Sequence, residues 1–237
     1  MKIAVLGTGV VGSSIASKLV SLGHGVTMGA RSAASEKASA WAQKAGASAA
    51  HADFSAAAAA GEIVFNCTLG TAALDALKAA GEENLGSKII IDVSNPLDFS
   101  RGRPPSLLFP GNDSLGERIQ RAFPRARVVK TLNTINAQIM VDPGRVPGSH
   151  DVFMSGNDPG AKTTESLWWL TDAGARFGVD DTREVREALG LKIAPSPAPW
   201  VALRLLPQGP TLSRADALVE HDTLPMDMSP AELAVPK

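Results

Sequence analysis

The sequence predicts an α/β protein built on a doubly wound parallel sheet, and three observations carry that expectation. Short continuous apolar runs recur through the first two-thirds of the chain. Stretches of helical spacing separate them. A glycine triplet sits at the first junction between the two patterns.

The elements follow in order. Ile3-Ala4-Val5-Leu6 is an unbroken apolar run ending at Gly7, as a strand buried on both faces requires. Val11, Ile15, Leu19 and Leu22 then repeat at helical spacing, and Gly23-His24-Gly25 closes that helix. Val26-Thr27-Met28 reads as a second strand. Further strands are expected at 63–67, 89–93, 128–132 and 151–154, with Ala-rich helices over 38–45 and 72–80 between them. Asp158-Pro159 reads as the N-cap and first residue of a helix running to Asp172. Asp181 to Leu189 carries the spacing of a short capped helix. From Pro195 onward eight of the sixteen prolines fall and periodicity fades, so a divergent, Pro-rich C-terminal segment is expected there, extended or irregular. The expected division is a nucleotide-binding domain over 1–160 and a helical and irregular segment over 161–237.

Composition excludes several classes. The 237 residues carry 44% apolar and 20% charged side chains, the balance of a soluble globular chain. A formal net charge of −1 argues against nucleic acid or a membrane surface as partner. No apolar run approaches the ~18–20 residues of a membrane span, and the apolar start is too short for a secretory signal. The single cysteine, Cys67, excludes an intrachain disulfide framework and a cysteine-cluster zinc site, so a reducing cytoplasm is the expected compartment. The absence of tyrosine removes any phenolic acid catalyst. The histidines (His24, His51, His150 and His221) have no nearby acid at metal-ligand spacing, so no metal is expected. No catalytic residue is assigned.

Gly7-Thr8-Gly9-Val10-Val11-Gly12 is a G-x-G-x-x-G between a predicted strand and a predicted helix, the context that makes the motif a dinucleotide loop. Gly7 allows the tight turn, Gly9 lets a pyrophosphate approach the backbone, and Gly12 lets the helix pack close to the strand. The doubly wound sheet is therefore expected to be Rossmann-type. An NAD site places Asp or Glu ~20 residues on, against the ribose 2′-hydroxyl. No carboxylate occurs from His24 to Ser35; the second strand ends at Arg31-Ser32, with Lys37 following. A guanidinium and a hydroxyl suit a 2′-phosphate, and the expected cofactor is NADP.

Three further strand ends are polar: Thr68-Leu69-Gly70-Thr71, Ser94-Asn95-Pro96, and Asn133-Thr134-Ile135-Asn136. Ligands of open parallel sheets lie beyond such carboxyl ends. Thr68, Leu69, Ser94, Asn95, Pro96 and Asn133 are therefore candidates for the ribose and carboxamide, with ordinary turn chemistry as the competing reading. Asp92, inside an apolar run, reads as a buried structural acceptor, and Cys67 as an inert buried thiol. Trp168-Trp169 reads as packing within a helix. Seven basic residues (Arg101, Arg103, Arg118, Arg121, Arg125, Arg127, Lys130) face only Asp113 and Glu117 over 101–130. They form either a rim for an anionic second substrate or a solvated helix face.

The glycine loop, Leu22-Gly23-His24 and Met28-Gly29-Ala30-Arg31 together resemble the NADPH-dependent coenzyme F420 reductases. Asp92-Val93-Ser94-Asn95-Pro96 and Val129-Lys130-Thr131-Leu132-Asn133-Thr134 are similar to later motifs of that family. The resemblance covers about residues 1–160. Ala30 stands where the family often has Ser or Thr, and after about Glu165 the family pattern ends. The resemblance implies a Rossmann domain holding NADP through Thr8 to Val11, Arg31 and Lys37. It also implies hydride transfer to a deazaflavin (coenzyme F420) or flavin-like ring, with the basic loop facing the acceptor's phosphate and acidic tail. Such a transfer needs positioning more than an acid or base. Two other functions stay open: an NADPH-binding or sensing module without catalysis, and an NADP-dependent reductase of a small carbonyl or imine. The partner expected is a small redox acceptor, and a homodimer is the base-rate assembly.

Overall fold

The computed structural model describes residues 1–109, 113–146, 150–158, 160–161, 176–179 and 200–206. The chain begins with β1 (Lys2–Leu6), α1 (Val10–Ser21), β2 (Gly25–Ala30), α2 (Glu36–Ala45), β3 (Ala49–Asp53), α3 (Phe54–Ala60) and β4 (Ile63–Asn66). It continues through α4 (Ala73–Ala80), α5 (Glu82–Leu85) and β5 (Ile89–Asp92) to a small hairpin, β6 (Leu97–Asp98) and β7 (Ser106–Leu107). Then come α6 (Leu115–Ala122), β8 (Arg127–Thr131), α7 (Ala137–Val141), a 3-10 turn at Pro143–Arg145, β9 (His150–Ser155), β10 (Arg176–Val179) and β11 (Trp200–Leu206).

Six strands lie parallel in the order β8-β5-β4-β1-β2-β3. The chain winds outward from β1 in both directions, so the strand order reverses beside β1 and leaves a crevice at the carboxyl ends. The expected doubly wound Rossmann-type sheet is present. Because both faces are covered, the central strands read as unbroken apolar runs. Odd-numbered side chains of the central strands, such as Val5, Phe65, Ile91 and Val129, pack with Ile15, Leu19 and Trp41 from α1 and α2 and with Met140 from α7. Even-numbered ones, such as Ala4, Val64, Ile90 and Val128, pack on the other face with Ala57, Leu77 and Ile119 from α3, α4 and α6.

Helix starts are set by side chains that take up otherwise unpaired N–H groups. Asp53 Oδ1 accepts from Ala56 N at 2.8 Å, Ser114 Oγ from Glu117 N at 3.2 Å, and Asn136 Oδ1 from Gln138 N at 2.9 Å. Ala161 N donates to Asp158 Oδ1 at 2.6 Å, the cap bond expected at that position; the rest of the expected helix to Asp172, including Trp168-Trp169, lies outside the described residues. The expected helix at Asp181–Leu189 also lies outside them.

Three differences from the sequence reading have physical reasons. β3 was not anticipated: Ala-Ala-His-Ala-Asp has no β-branched residue, and its alanines merge with the helical stretches beside it. The 151–154 strand exists as β9 but runs antiparallel to β8, with Lys130 opposite Ser155 and Thr131 opposite Met154. The described part of the link between them carries the short α7, packed on α1, and the 3-10 turn, and the chain re-enters the sheet from the carboxyl end of β8. Within the Pro-rich tail, β11 pairs antiparallel with β9 from Trp200 opposite Ser155 to Leu205 opposite His150, and β10 pairs with β11. The prolines hid the apolar run that forms β11.

Phe65 lies at the centre of β4 with no exposed surface. Phe65→Ala is expected to lower unfolding free energy by ~3–5 kcal/mol, read as a drop in the urea midpoint at unchanged m-value.

Candidate functional site

The loop from Gly7 to Gly12 crosses the crevice where β1 ends. Gly7 has φ +119°, and a Cβ there would stand 2.6 Å from the Cys67 carbonyl oxygen. A Cβ on Gly12 would stand 2.1 Å from the Gly7 carbonyl oxygen, so α1 can approach the strand this closely only with glycine. Gly9 differs: nothing lies within 4 Å of a Cβ built on it. Two glycines are demanded by the protein's own packing, and the third faces open space. No side chain caps α1, whose N-cap is Gly9. Its first N–H groups and its positive dipole end therefore face the crevice. Thr8 and Val11 are half-buried, and Val10 is 72% exposed beside the open glycine.

At the end of β2, Arg31 is exposed, with Ser32 beside it and Lys37 exposed in the first turn of α2. The Ser32 hydroxyl accepts from Ala34 N at 3.2 Å, and the Ser32 carbonyl from Ser35 N at 3.1 Å, which shapes the turn behind Arg31. Two cations and a hydroxyl, with no carboxylate from His24 to Ser35, form a donor set fit for a 2′-phosphate. The open glycine cradle leaves room for a pyrophosphate. On both counts the residues present fit NADP.

The other strand ends are joined by one buried network. Asn66, Asp92 and Lys130 stand in register across β4, β5 and β8. Asp92 is fully buried. Its Oδ1 accepts from Asn66 Nδ2 at 2.8 Å, from Ser94 Oγ at 2.6 Å and from Ser94 N at 3.3 Å. Its Oδ2 accepts from Lys130 Nζ at 2.9 Å, and the same ammonium donates to the Ser94 carbonyl. Thr68 Oγ1 donates to Asn66 Oδ1 at 2.7 Å. Nearer the surface, Asn95 Nδ2 donates to the Asn133 carbonyl at 2.5 Å and Asn133 Nδ2 to Asn95 Oδ1 at 3.3 Å. Leu132 has φ +61°, a left-handed conformation that is costly for leucine and turns the chain to bring Asn133 to Asn95. A Cβ on Gly70 would meet the Asn95 carbonyl at 2.1 Å, so the turn after β4 lies directly on Asn95-Pro96. Leu69, in that same turn, is 78% exposed.

Thr68, Ser94, Asn95, Pro96 and Asn133 are thus brought together at one end of the sheet. Asp92 is a buried acceptor, as expected. Sequence reasoning missed Asn66 and the role of Lys130. The available signal was a polar residue at the end of each of three apolar runs, falling in register.

Apart from Lys130, the basic run between 101 and 130 divides in two. Arg118 and Arg121 each reach Asp113 at 2.7 Å, which holds its carboxyl below the usual range, the Arg121 bond contributing most. Arg118 also stacks over the Phe109 ring at 3.8 Å. Arg125 pairs with Glu83 at 2.8 Å, and Arg127 donates to the Ser87 carbonyl. The helix-face reading holds for Arg118 and Arg121, which lie on α6; Arg125 instead lies in the turn after that helix, and Arg127 begins β8. Arg101 and Arg103 are exposed between β6 and β7, close in sequence to exposed Phe99 and Leu107. Among the described residues no group of three His, Cys, Asp or Glu is placed to hold a metal, and no helix is long and apolar enough to cross a membrane.

Fold and site together define a dinucleotide-binding reductase domain, and comparison with known proteins gives the family. The model for NADP oxidoreductase, coenzyme F420-dependent, matches residues 2–96. A crystal structure from Arthrobacter sp. FB24, described as a candidate F420-dependent NADP-reductase, is 51% identical with TM-score 0.68, covering 73% of this chain and 81% of that one. A hypothetical protein of Sinorhizobium meliloti is 25% identical with TM-score 0.58, covering 72% of this chain and 81% of that one. The chain belongs to the coenzyme F420-dependent NADP oxidoreductase family, and so to the NADP-dependent oxidoreductases. A second model, for the Type VII secretion system ESX-1 transport TM domain B, matches residues 118–226. The ESX-5 secretion system ATPase EccB5 of Mycobacterium marinum is 83% identical over 86 residues, which are 36% of this chain and 17% of EccB5. The chain therefore spans about a sixth of the length of the first curated relatives it matches.

Cys67 is buried at the end of β4, and burial, helped by the Asp92 charge, pushes its thiol well above the usual range. The unfolded chain loses this proton above about pH 8.5 while the folded chain keeps it, so stability falls as pH rises beyond that point, by up to ~1.4 kcal/mol per pH unit from this group. Iodoacetamide at pH 8 is expected to leave the native thiol unlabelled and to label it in urea.

Proposed function

We propose that this protein transfers a hydride between NADP(H) and a deazaflavin (coenzyme F420) or flavin-like acceptor. The supporting observation is the division of the crevice: an open phosphate cradle at Gly9 with cations and no acid at the end of β2 on one side, and a rigid polar floor at the ends of β4, β5 and β8 on the other. In this reading Gly7, Thr8, Gly9, Val10, Val11 and Gly12 hold the pyrophosphate. Arg31, Ser32 and Lys37 hold the 2′-phosphate. Thr68, Leu69, Ser94, Asn95, Pro96 and Asn133 border the nicotinamide half. The bound nicotinamide supplies the hydride. The chain's own residues orient the ring and shield one side of it.

Transfer to a deazaflavin or flavin suits a site whose hydroxyls are engaged inward. Thr68 Oγ1 donates to Asn66 and Ser94 Oγ to Asp92, so neither is poised to protonate a carbonyl or imine product. The exposed Arg101 and Arg103, with Phe99 and Leu107, offer charge and apolar surface to an anionic ring-bearing acceptor. A non-catalytic NADPH-binding module is the second reading. It is favoured by the relation of residues 118–226 to the secretion-system family, and the match to the Arthrobacter structure covers 81% of that chain. The organisation proposed is a nucleotide-binding domain over 1–160 followed by a C-terminal segment over 161–237, in the cytoplasm.

Arg31→Ala is expected to raise the NADPH Kd about 10- to 100-fold, the scale of a lost charge-assisted hydrogen bond, with NADH binding nearly unchanged in fluorescence titration. Equal losses for both cofactors would remove the 2′-phosphate assignment. Mixing the protein with NADPH and oxidised coenzyme F420 is expected to bleach the deazaflavin's visible absorbance. Tight NADPH binding without bleaching would select the binding module.

A further inference from the structure

We propose that Lys130 is a positioning residue for the nicotinamide half of the dinucleotide, acting through Asp92 and the Ser94 carbonyl without touching the cofactor. The inference rests on the NADP reading above. It gives a role to a side chain that the sequence reading placed in a basic run and in a family-like motif, without assigning it one.

The geometry is directional. Lys130 rises from β8 and makes two donations into the neighbouring strand end, one to Asp92 Oδ2 and one to the Ser94 carbonyl. The second is to the backbone that leads into Asn95. The first fixes a carboxylate whose other oxygen orients Ser94 and Asn66, and Asn66 in turn orients the Thr68 hydroxyl. One ammonium therefore governs the turns after β4 and β5. The reciprocal Asn95–Asn133 amide bonds extend that control to the turn after β8. The Lys130 side chain is 17% exposed and Asp92 is fully buried, so the pair works where solvent screens little.

The arrangement is also one-sided. Arg31 at the end of β2 places the 2′-phosphate, and with it the adenosine half, toward β2 and β3. Every turn Lys130 controls lies on β4, β5 and β8, on the other side of the phosphate loop. A residue that served stability alone would not distinguish the two halves of the ligand. A positioning residue on this side does. The stem of Lys130 lies beside Gly116 in the first turn of α6, and methionine keeps an unbranched stem of similar length there without the charge.

The test measures Kd for NADPH and for 2′,5′-ADP, the adenosine half alone, on the full chain as wild type, Lys130→Met and Lys130→Arg. Lys130→Met is expected to weaken NADPH about tenfold, the scale of a slightly misplaced supporting group, and to leave 2′,5′-ADP within about twofold. Lys130→Arg, which keeps the donors and the charge, is expected to recover most of the NADPH affinity. Equal weakening of both ligands, or no change in either, would overturn the positioning role while leaving the NADP reading intact. A wild type that binds neither ligand would overturn the NADP reading and this inference with it. If circular dichroism shows Lys130→Met unfolded, the double variant Asp92→Asn with Lys130→Met removes both charges together, and the same split between ligands decides.

Discussion

The rest of this structure is arranged around a carboxylate with no exposed surface. Asp92 ends the strand at the middle of the β4–β5–β8 group, where a lone buried charge would be prohibitive. The chain meets that constraint with donors from both neighbouring strands in register, Asn66 on one side and Lys130 on the other, and with the Ser94 amide and hydroxyl above. An apolar layer of equal volume could stabilise the sheet as well or better, because desolvation of a buried pair offsets much of its attraction. The pair's distinctive effect is orientation. An apolar layer has no preferred direction for the turns leaving it, whereas these bonds specify where Thr68, Ser94 and Asn95 lie.

Against this rigid side stands an open one. Three of the glycines near β1 show how a single motif serves two purposes. Gly7 and Gly12 have no room for a side chain because the protein's own backbone occupies the space. Gly9 has room and nothing in it. Helices such as α3, α6 and α7 begin with a side chain closing their first N–H groups, while α1 begins on Gly9 without one. The uncapped dipole end, the open glycine and the cations after β2 converge on one strip of the crevice, which is what an extended polyanionic ligand requires.

Two family models match this chain. The family match to the F420-dependent oxidoreductases ends at residue 96, and the secretion-system match begins at residue 118, in α6. The sheet nevertheless continues across that point: β8 joins the parallel set, β9 turns back, and β11 adds antiparallel to it. Antiparallel addition at an edge needs backbone hydrogen bonds and little side-chain specificity.

Much of this was legible from residues alone, and the limits are physical. The apolar runs at 3–6, 63–66, 89–92 and 128–131 and the glycine loop specified strands, winding and the phosphate end of the site, because each is written in local patterns of period, turn and absent Cβ. The missing acid and the arginine after β2 pointed to NADP for the same reason, and NADP is the cofactor of the family. β3 was illegible because its alanines carry no strand preference, and the direction of β9 because direction depends on where α7 packs. What only the tertiary structure decided was pairing. Lys130 and Asp92 are 38 positions apart, and in sequence Lys130 belonged to a run of seven cations. Folding sorted that run into surface pairings on α6 and on the segment that leads into β8, an exposed pair of arginines and one partly buried ammonium. That sorting is set by strand register, and register is a property of neighbouring strands that no single stretch of sequence contains.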